Sequence, residues 1–303
     1  MKALKCSWNK KLVVLCMLPP IILYLWLSVI PSFMTFFYSF TDITRTSTSW
    51  EFIGLANYKK LLFQQNYRDL LPVIFRTLEF AVVVTVVQNV IALLMAVLLN
   101  SKLLKGRNVY RAVIFLPYVL GVTVCCYSWV LMMGMDGPIM LLLRELGINS
   151  ALLGSKQDAF TCVMFIQIWM NVGYSMVLDI AGLQAIPSEV YEAATVDGAN
   201  GVARFFKITI PMLWGTLSIN VLLSIVGSLG TVQTILLTTG GNHNTETLGM
   251  AIYRAAFGIG GVASESSLTQ GYAAAQSMVL FVITFIFAIL TFVLMRKKGD
   301  QYE

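Results

Sequence analysis

Six runs of about 20 or more residues carry almost no charge, and each is long enough to cross the hydrocarbon core of a bilayer. They cover 12–40, 77–99, 112–133, 160–185, 212–237 and 272–295, and the fifth has no charged residue at all. At a rise of about 1.5 Å per residue, about 20 helical residues span about 30 Å. Backbone polar groups in lipid have no water to bond, so such runs cross as helices. The expected fold is therefore an all-α polytopic membrane protein with six transmembrane helices, in a single transmembrane domain over 1–303.

Composition agrees. The chain is 57% hydrophobic and only 12% charged, against about 25% charged in a soluble domain. No stretch is left over for a soluble ATPase, protease or kinase domain. The net charge of +6 does not point to nucleic acid, because the basic residues sit at the ends of the apolar runs. The start resembles a signal peptide, with Lys10 and Lys11 before an apolar run. That run is too long for a signal and lacks a small-residue cleavage site, so it is expected to stay as the first helix. Cys6, Cys16, Cys125, Cys126 and Cys162 have no metal-ligand spacing and read as small apolar residues. His243 is the single histidine, which leaves little for a metal site.

Lysine and arginine set the orientation. Six spans put both termini on one side, with Lys2, Lys5, Lys10, Lys11, Lys102, Lys105, Arg107, Arg111, Arg204, Lys207, Arg296, Lys297 and Lys298. The other side has Arg45, Lys59, Lys60, Arg68, Arg144, Lys156 and Arg254, and Arg76 lies at a span edge. The richer side is cytoplasmic by the positive-inside rule. The external loops 41–76, 134–159 and 238–271 are long for connectors, which suits either a contact surface or short re-entrant or capping segments.

Between the fourth and fifth runs lies 187–211, PSEVYEAATVDGANGVARFFKITIP. Glu189, Glu192, Asp197, Arg204 and Lys207 keep it out of the membrane, since each charge at the bilayer centre costs about 2.5–3.5 kcal/mol. Pro187 stops the fourth span, Ser188 suits an N-cap, and Glu189 and Glu192 favour the first turns of a helix. Ala193 and Ala194 give a narrow helical surface, Gly198 and Gly201 turn the chain, and Pro211 opens the next span. The expected form is helix, elbow, helix on the cytoplasmic surface. Physically it suits either a groove on another protein or the lipid surface.

The spacing of Glu192, Ala193, Ala194, Gly198, Ile208 and Pro211 resembles the EAA loop of permease subunits in binding-protein-dependent ABC importers. One departure is Ile210, where leucine is usual. The run 181–199, AGLQAIPSEVYEAATVDGA, is similar to the carbohydrate branch. Further similar segments are Ser39 to Asp42 with Phe52 to Tyr58, Phe115 to Pro117, Leu237 to Gly241, Thr245 to Leu248 and Gly271 to Ala275. Asn242 departs from the proline often found there.

The resemblance implies a type I importer permease fold with a cytoplasmic coupling helix, in the cytoplasmic (inner) membrane of a bacterium. It implies a second homologous permease subunit, two ATPase subunits that carry ATP and Mg, and an extracellular or periplasmic solute-binding protein. The chain itself would be no enzyme and bind no cofactor.

A sugar needs hydroxyl partners and an aromatic face. The candidates are Gln167, Trp169, Asn171 and Tyr174 in the fourth span, and Asn220, Ser224, Gly227, Ser228 and Gln233 in the fifth. Gln167, Asn171 and Tyr174 share one helical face by their spacing. Polar residues at this depth line a cavity or bond between helices. Asp179 is the only acid deep in the fourth span and a candidate for gating, either solvated near the inner mouth or protonated. Glu79 is expected to reach water; Trp26, Tyr38 and Trp129 read as belt or packing residues.

The expected function is the pore of an ATP-driven importer of a sugar or oligosaccharide. Alternatives are a glycerol phosphate derivative or other polar solute on the same architecture, and a stand-alone secondary transporter. The spans hold no deep lysine or arginine for an anion, no inverted repeat, and no paired base and nucleophile for a membrane enzyme.

Overall fold

A computed structural model describes residues 10–44, 49–63, 67–101, 104–148, 150–258 and 270–299. Lys2, Lys5, Cys6, Arg45, Lys102 and the turn-rich 259–269 lie outside the described residues. In chain order the helices are α1 (Lys10–Tyr24), α2 (Ile30–Tyr38), α3 (Ala56–Phe63), α4 (Tyr67–Asn100), α5 (Arg107–Leu120), α6 (Val122–Met133), α7 (Pro138–Glu145) and α8 (Ala159–Ala185). There follow α9 (Ser188–Val196), α10 (Gly201–Arg204), α11 (Ile210–Met212), α12 (Trp214–Leu229), α13 (Gln233–Thr238), α14 (Leu248–Phe257) and α15 (Gln270–Gly299). Among the described residues, five helical segments are long and apolar enough to cross a membrane, and a sixth forms if a pair bent by 70° counts as one span.

The helices depart from the apolar runs in physically readable ways. α4 begins ten residues before the second run, at Tyr67, because hydrogen bonding carries the helix past the end of the apolar stretch. The third run breaks at Gly121, whereas Pro117 lies inside α5. Gly121 has φ 83 and ψ 152, a conformation open essentially to glycine alone. The Cys125 thiol donates to the Pro117 carbonyl at 3.2 Å, serving an acceptor at the freed end of α5. The fifth run is not one helix: α12 ends before Gly230 and α13 starts at Gln233.

Two wider π turns mark the other irregularities. Leu25–Val29 precedes Pro31, and Phe205–Thr209 precedes Pro211. Proline offers no N–H and its ring crowds the carbonyl four residues back. A one-residue widening just before it relieves that crowding. Pro19 and Pro20 lie within α1.

The core is built by α4, α8 and α12. Ala92, Ala96, Met176, Ile180, Leu183, Leu213 and Leu217 form an apolar layer near α9, and the small alanines bring α4 close. At the opposite end Phe80, Val84, Val163, Ile235 and Met250 pack together. α15 runs along α12 and α14, and the Trp214 indole donates to the Met295 carbonyl at 2.7 Å. In the most apolar windows of both Val14–Tyr38 and Gln270–Met295 no residue is buried.

At the end away from α9, the long connections are partly helical, through α3, α7 and α14. Asn57, buried in α3, donates to the carbonyls of Ser39 at 3.0 Å and Thr41 at 2.8 Å. Tyr58 donates to Ser39 Oγ at 2.8 Å. Gly271 at the start of α15 lies against the Thr41 carbonyl and donates its N–H to Ile43 at 3.1 Å. Arg254 pairs with Glu246 at 3.0 Å and donates to the Gly240 carbonyl at 2.8 Å, which ties α14 to the loop before it.

Candidate functional site

The 187–211 excursion folds as a tied hairpin. α9 starts at Ser188, with Pro187 in the N-cap position, extended at φ −59 and ψ 139. Ser188 was expected as the cap, but it is the first helical residue and makes no capping bond through its side chain. Gly198 ends the helix at φ +76, with Ala199 N–H bonded to the Ala194 carbonyl at 2.9 Å. That six-residue closure requires a left-handed residue, which is glycine's role here. No atom lies within 4 Å of a Cβ at Gly198, so conformation and not space selects the residue. Asn200 caps α10 by accepting from Ala203 N–H at 2.8 Å.

Cross-bonds hold the two arms together. Tyr191 OH lies 3.1 Å from Thr209 Oγ1, and Arg204 Nη1 donates to Thr195 Oγ1 at 2.9 Å. Arg204 thus braces the hairpin. Glu192 and Ala193 face outward, whereas Ala194 turns inward and is buried. The narrow surface expected from both alanines is therefore offered by Ala193 alone. On the same hairpin Val196 is 88% exposed, Val202 67% and Phe206 62%. Ile208 and Pro211 are half-buried at the root of the arm.

The second site is a polar cleft where two interrupted helices meet. One lobe, of about 400 Å³, is lined by Pro117, Tyr118, Gln167, Asn171, Thr231 and Gln233 among others. A second lobe of about 180 Å³ shares Tyr118, Gln167 and Asn171 and adds Gln88, Tyr174, Ser224, Gly227 and Ser228. The α5–α6 break and the α12–α13 break both border the first lobe. Irregular backbone at membrane depth is tolerated where it lines such a cavity. Tyr118 stacks on Tyr174 with ring centroids 4.9 Å apart. Gln167 Oε1 accepts from Thr234 Oγ1 at 2.5 Å, and Asn171 Nδ2 donates to the Gln167 carbonyl at 2.8 Å.

Of the sequence candidates, Gln167, Asn171, Tyr174, Ser224, Gly227, Ser228 and Gln233 meet in this cleft. Two do not. Trp169 turns into a separate apolar groove of about 620 Å³ between α4, α5 and α8, edge-on to Trp129 at 5.4 Å. Asn220 is fully buried and donates to Asp179 Oδ1 at 3.1 Å. Asp179 is likewise sealed between α8 and α12, at 0% exposure, so it is not the solvated inner-mouth residue considered above. Sequence reading missed Gln88 and Tyr118. Gln88 is a polar residue amid an apolar run, the same signal that singled out Gln167 two runs later. Tyr118 gave no such signal, since aromatic residues are common throughout these runs. Among the described residues, no cluster of three or more His, Cys, Asp or Glu could hold a metal.

Comparison with known proteins gives the frame. Residues 88–298 match the family described as binding-protein-dependent transport system inner membrane component. The chain is 31% identical over 284 residues to the multiple sugar-binding transport system permease protein MsmF of Streptococcus mutans, covering 92% of this chain and 93% of that one. It is 30% identical to the sn-glycerol-3-phosphate transport system permease protein UgpA of Agrobacterium fabrum, over 96% of each. It is 29% identical to the trehalose/maltose permease protein MalF of Thermococcus litoralis, over 96% of this chain and 95% of that one. The crystal structure of a bacterial ABC transporter that imports the acidic polysaccharide alginate contains a chain of the same fold. Its TM-score is 0.78 at 19% identity, over 94% of this chain and 95% of that one. The fold is that of a type I ABC importer permease. With the family matched over most of its length, the chain belongs to the binding-protein-dependent transport system inner membrane components.

Proposed function

We propose that the chain is one of two permease subunits of an ATP-driven importer, and that its cargo is a sugar or oligosaccharide. A solute-binding protein outside the membrane delivers the cargo. Two ATPase subunits, which carry ATP and Mg, receive the 187–211 hairpins of the two permeases. Both termini and the hairpin face the cytoplasm, in keeping with the lysine and arginine bias along the sequence. The exposed side of the hairpin, with Glu192, Ala193, Val196 and Phe206, is the surface that meets the ATPase.

The observation that carries the cargo reading is the lining of the cleft. Amides, hydroxyls and a stacked tyrosine pair surround it, and no charged side chain is among its lining residues. Hydroxyl-rich neutral solutes find donors, acceptors and an aromatic face there. A phosphate or carboxylate would find no cation, so a glycerol phosphate derivative is the weaker reading.

The test is uptake by the complete complex in proteoliposomes, with the loaded binding protein on one side and ATP on the hairpin side, comparing neutral sugars with glycerol phosphate. Uptake should need ATP and the binding protein, and Glu192→Ala should lower it while membrane insertion stays normal. Uptake by the purified chain alone, driven by an ion gradient, sinks the proposal.

A further inference from the structure

Asp179 and Asn220 join the two helices between which the chain makes its charged excursion. α8 runs into Pro187, and α12 leaves from Leu213. Both side chains are at 0% exposure. Asn220 Nδ2 donates to Asp179 Oδ1 at 3.1 Å and to the Ser175 carbonyl at 3.2 Å. One turn away, Gln88 Nε2 donates to Ser175 Oγ at 2.8 Å and to Ser224 Oγ at 3.3 Å. Gln88 and Ser224 line the cleft. A polar thread therefore runs from the cleft wall to the Asp179–Asn220 pair, and below the pair only the apolar layer around Leu183 and Leu213 separates it from the hairpin.

The fastening is not built for strength. Asp179 Oδ2 and Asn220 Oδ1 are both buried and accept from no donor. Buried acceptors without donors are costly, and apolar side chains of similar size commonly hold two helices as well or better. A joint that is costly in one arrangement suits an element with two arrangements.

We propose that Asp179 and Asn220 form a latch between α8 and α12, closed in this conformation and opened once in each transport cycle. In the open conformation the two spare oxygens gain donors. Gln88 passes the state of the latch to the cleft wall. Asp179, Asn220 and Gln88 are positioning residues: none touches the ATPase surface. This inference rests on the reading of 187–211 as the ATPase-coupling element.

The experiment uses the whole complex in lipid and measures ATP hydrolysis with and without its binding protein, together with the melting temperature. The double variant Asp179→Leu/Asn220→Leu should assemble and melt at or above the parent temperature. Stimulation by the binding protein should fall about tenfold. The exchange variant Asp179→Asn/Asn220→Asp keeps the pair and should restore stimulation. Parental stimulation in the double leucine variant overturns the latch, because a merely structural pair tolerates apolar replacement. If that variant does not assemble, the exchange variant decides: stimulation retained supports the latch, and stimulation lost overturns it. Glu192→Ala in the same assay tests the coupling reading separately, since parental stimulation there overturns that reading whatever the latch variants do.

Discussion

Tyr118 of α5 and Tyr174 of α8 lie face to face, ring planes 22° from parallel and centroids 4.9 Å apart. Tyr118 is 45% exposed, so its ring keeps surface free toward the cleft. Offset-stacked pairs contribute about 0.5–1.5 kcal/mol beyond burial. Tyr118→Ala removes both the stack and the free ring face and should lower transport at limiting solute, while Tyr118→Phe keeps the stack and most of the activity. Initial uptake rates in proteoliposomes check this, and an alanine variant as fast as the parent removes Tyr118 from the pathway.

Gly198 adopts φ +76 with open space around it. Gly198→Ala should cost about 1–2 kcal/mol locally, the penalty of a left-handed L-residue. The expected result is a frayed end of α9, a normally inserted protein, and less uptake per ATP hydrolysed. Gly198→Asn, which tolerates the left-handed region better, should lie between parent and alanine. Equal coupling in all three would show that the helix end plays no part.

A Cβ on Gly271 would collide with the Thr41 carbonyl and come within 3.1 Å of Asn57 Nδ2. The first obstacle is backbone and cannot swing aside. Gly271→Ala should destabilise the α2–α3–α15 corner by about 1–3 kcal/mol, seen as a lower melting temperature in detergent. An unchanged melting temperature would mean that this corner yields freely.

Arg254 joins Glu246 and Gly240 across one loop. Its side chain is 20% exposed, so the ion pair is partly screened and its loss should cost only about 1 kcal/mol. Arg254→Gln should leave global stability nearly unchanged and speed hydrogen exchange selectively in 238–247. Exchange that rises evenly over the whole chain would contradict a local brace.

The sequence made the large elements legible because length and hydropathy alone decide whether a helix can cross lipid. The hairpin's helix–elbow–helix form was legible too, since charges and glycines at fixed spacing act locally, but the cap residue and the burial of Ala194 were not. Even the Ser39 to Asp42 and Phe52 to Tyr58 segments have a visible rationale: Asn57 clasps the carbonyls of Ser39 and Thr41. What stayed hidden depends on rotation about helix axes. Trp169 and Asn171 are two residues apart, yet one enters an apolar groove and the other the polar cleft. Asn220 looks like a pathway residue by composition, but its partner Asp179 lies on another helix and draws it inward. The breaks at Gly121 and Gly230 were masked for a related reason: hydropathy continues smoothly across a position where the backbone does not.

The bend between Gly201–Met212 and Trp214–Leu229 is 70°. The shorter arm is itself composite, α10 and α11 joined by the Phe205–Thr209 π turn, and the corner lies at Leu213. The short arm has 12 residues and the long arm 16, about 18 and 24 Å by helical rise. The corner therefore turns the chain from the direction of the hairpin into that of the long arm. The tip of that arm is Leu229, at the edge of the break that borders the cleft.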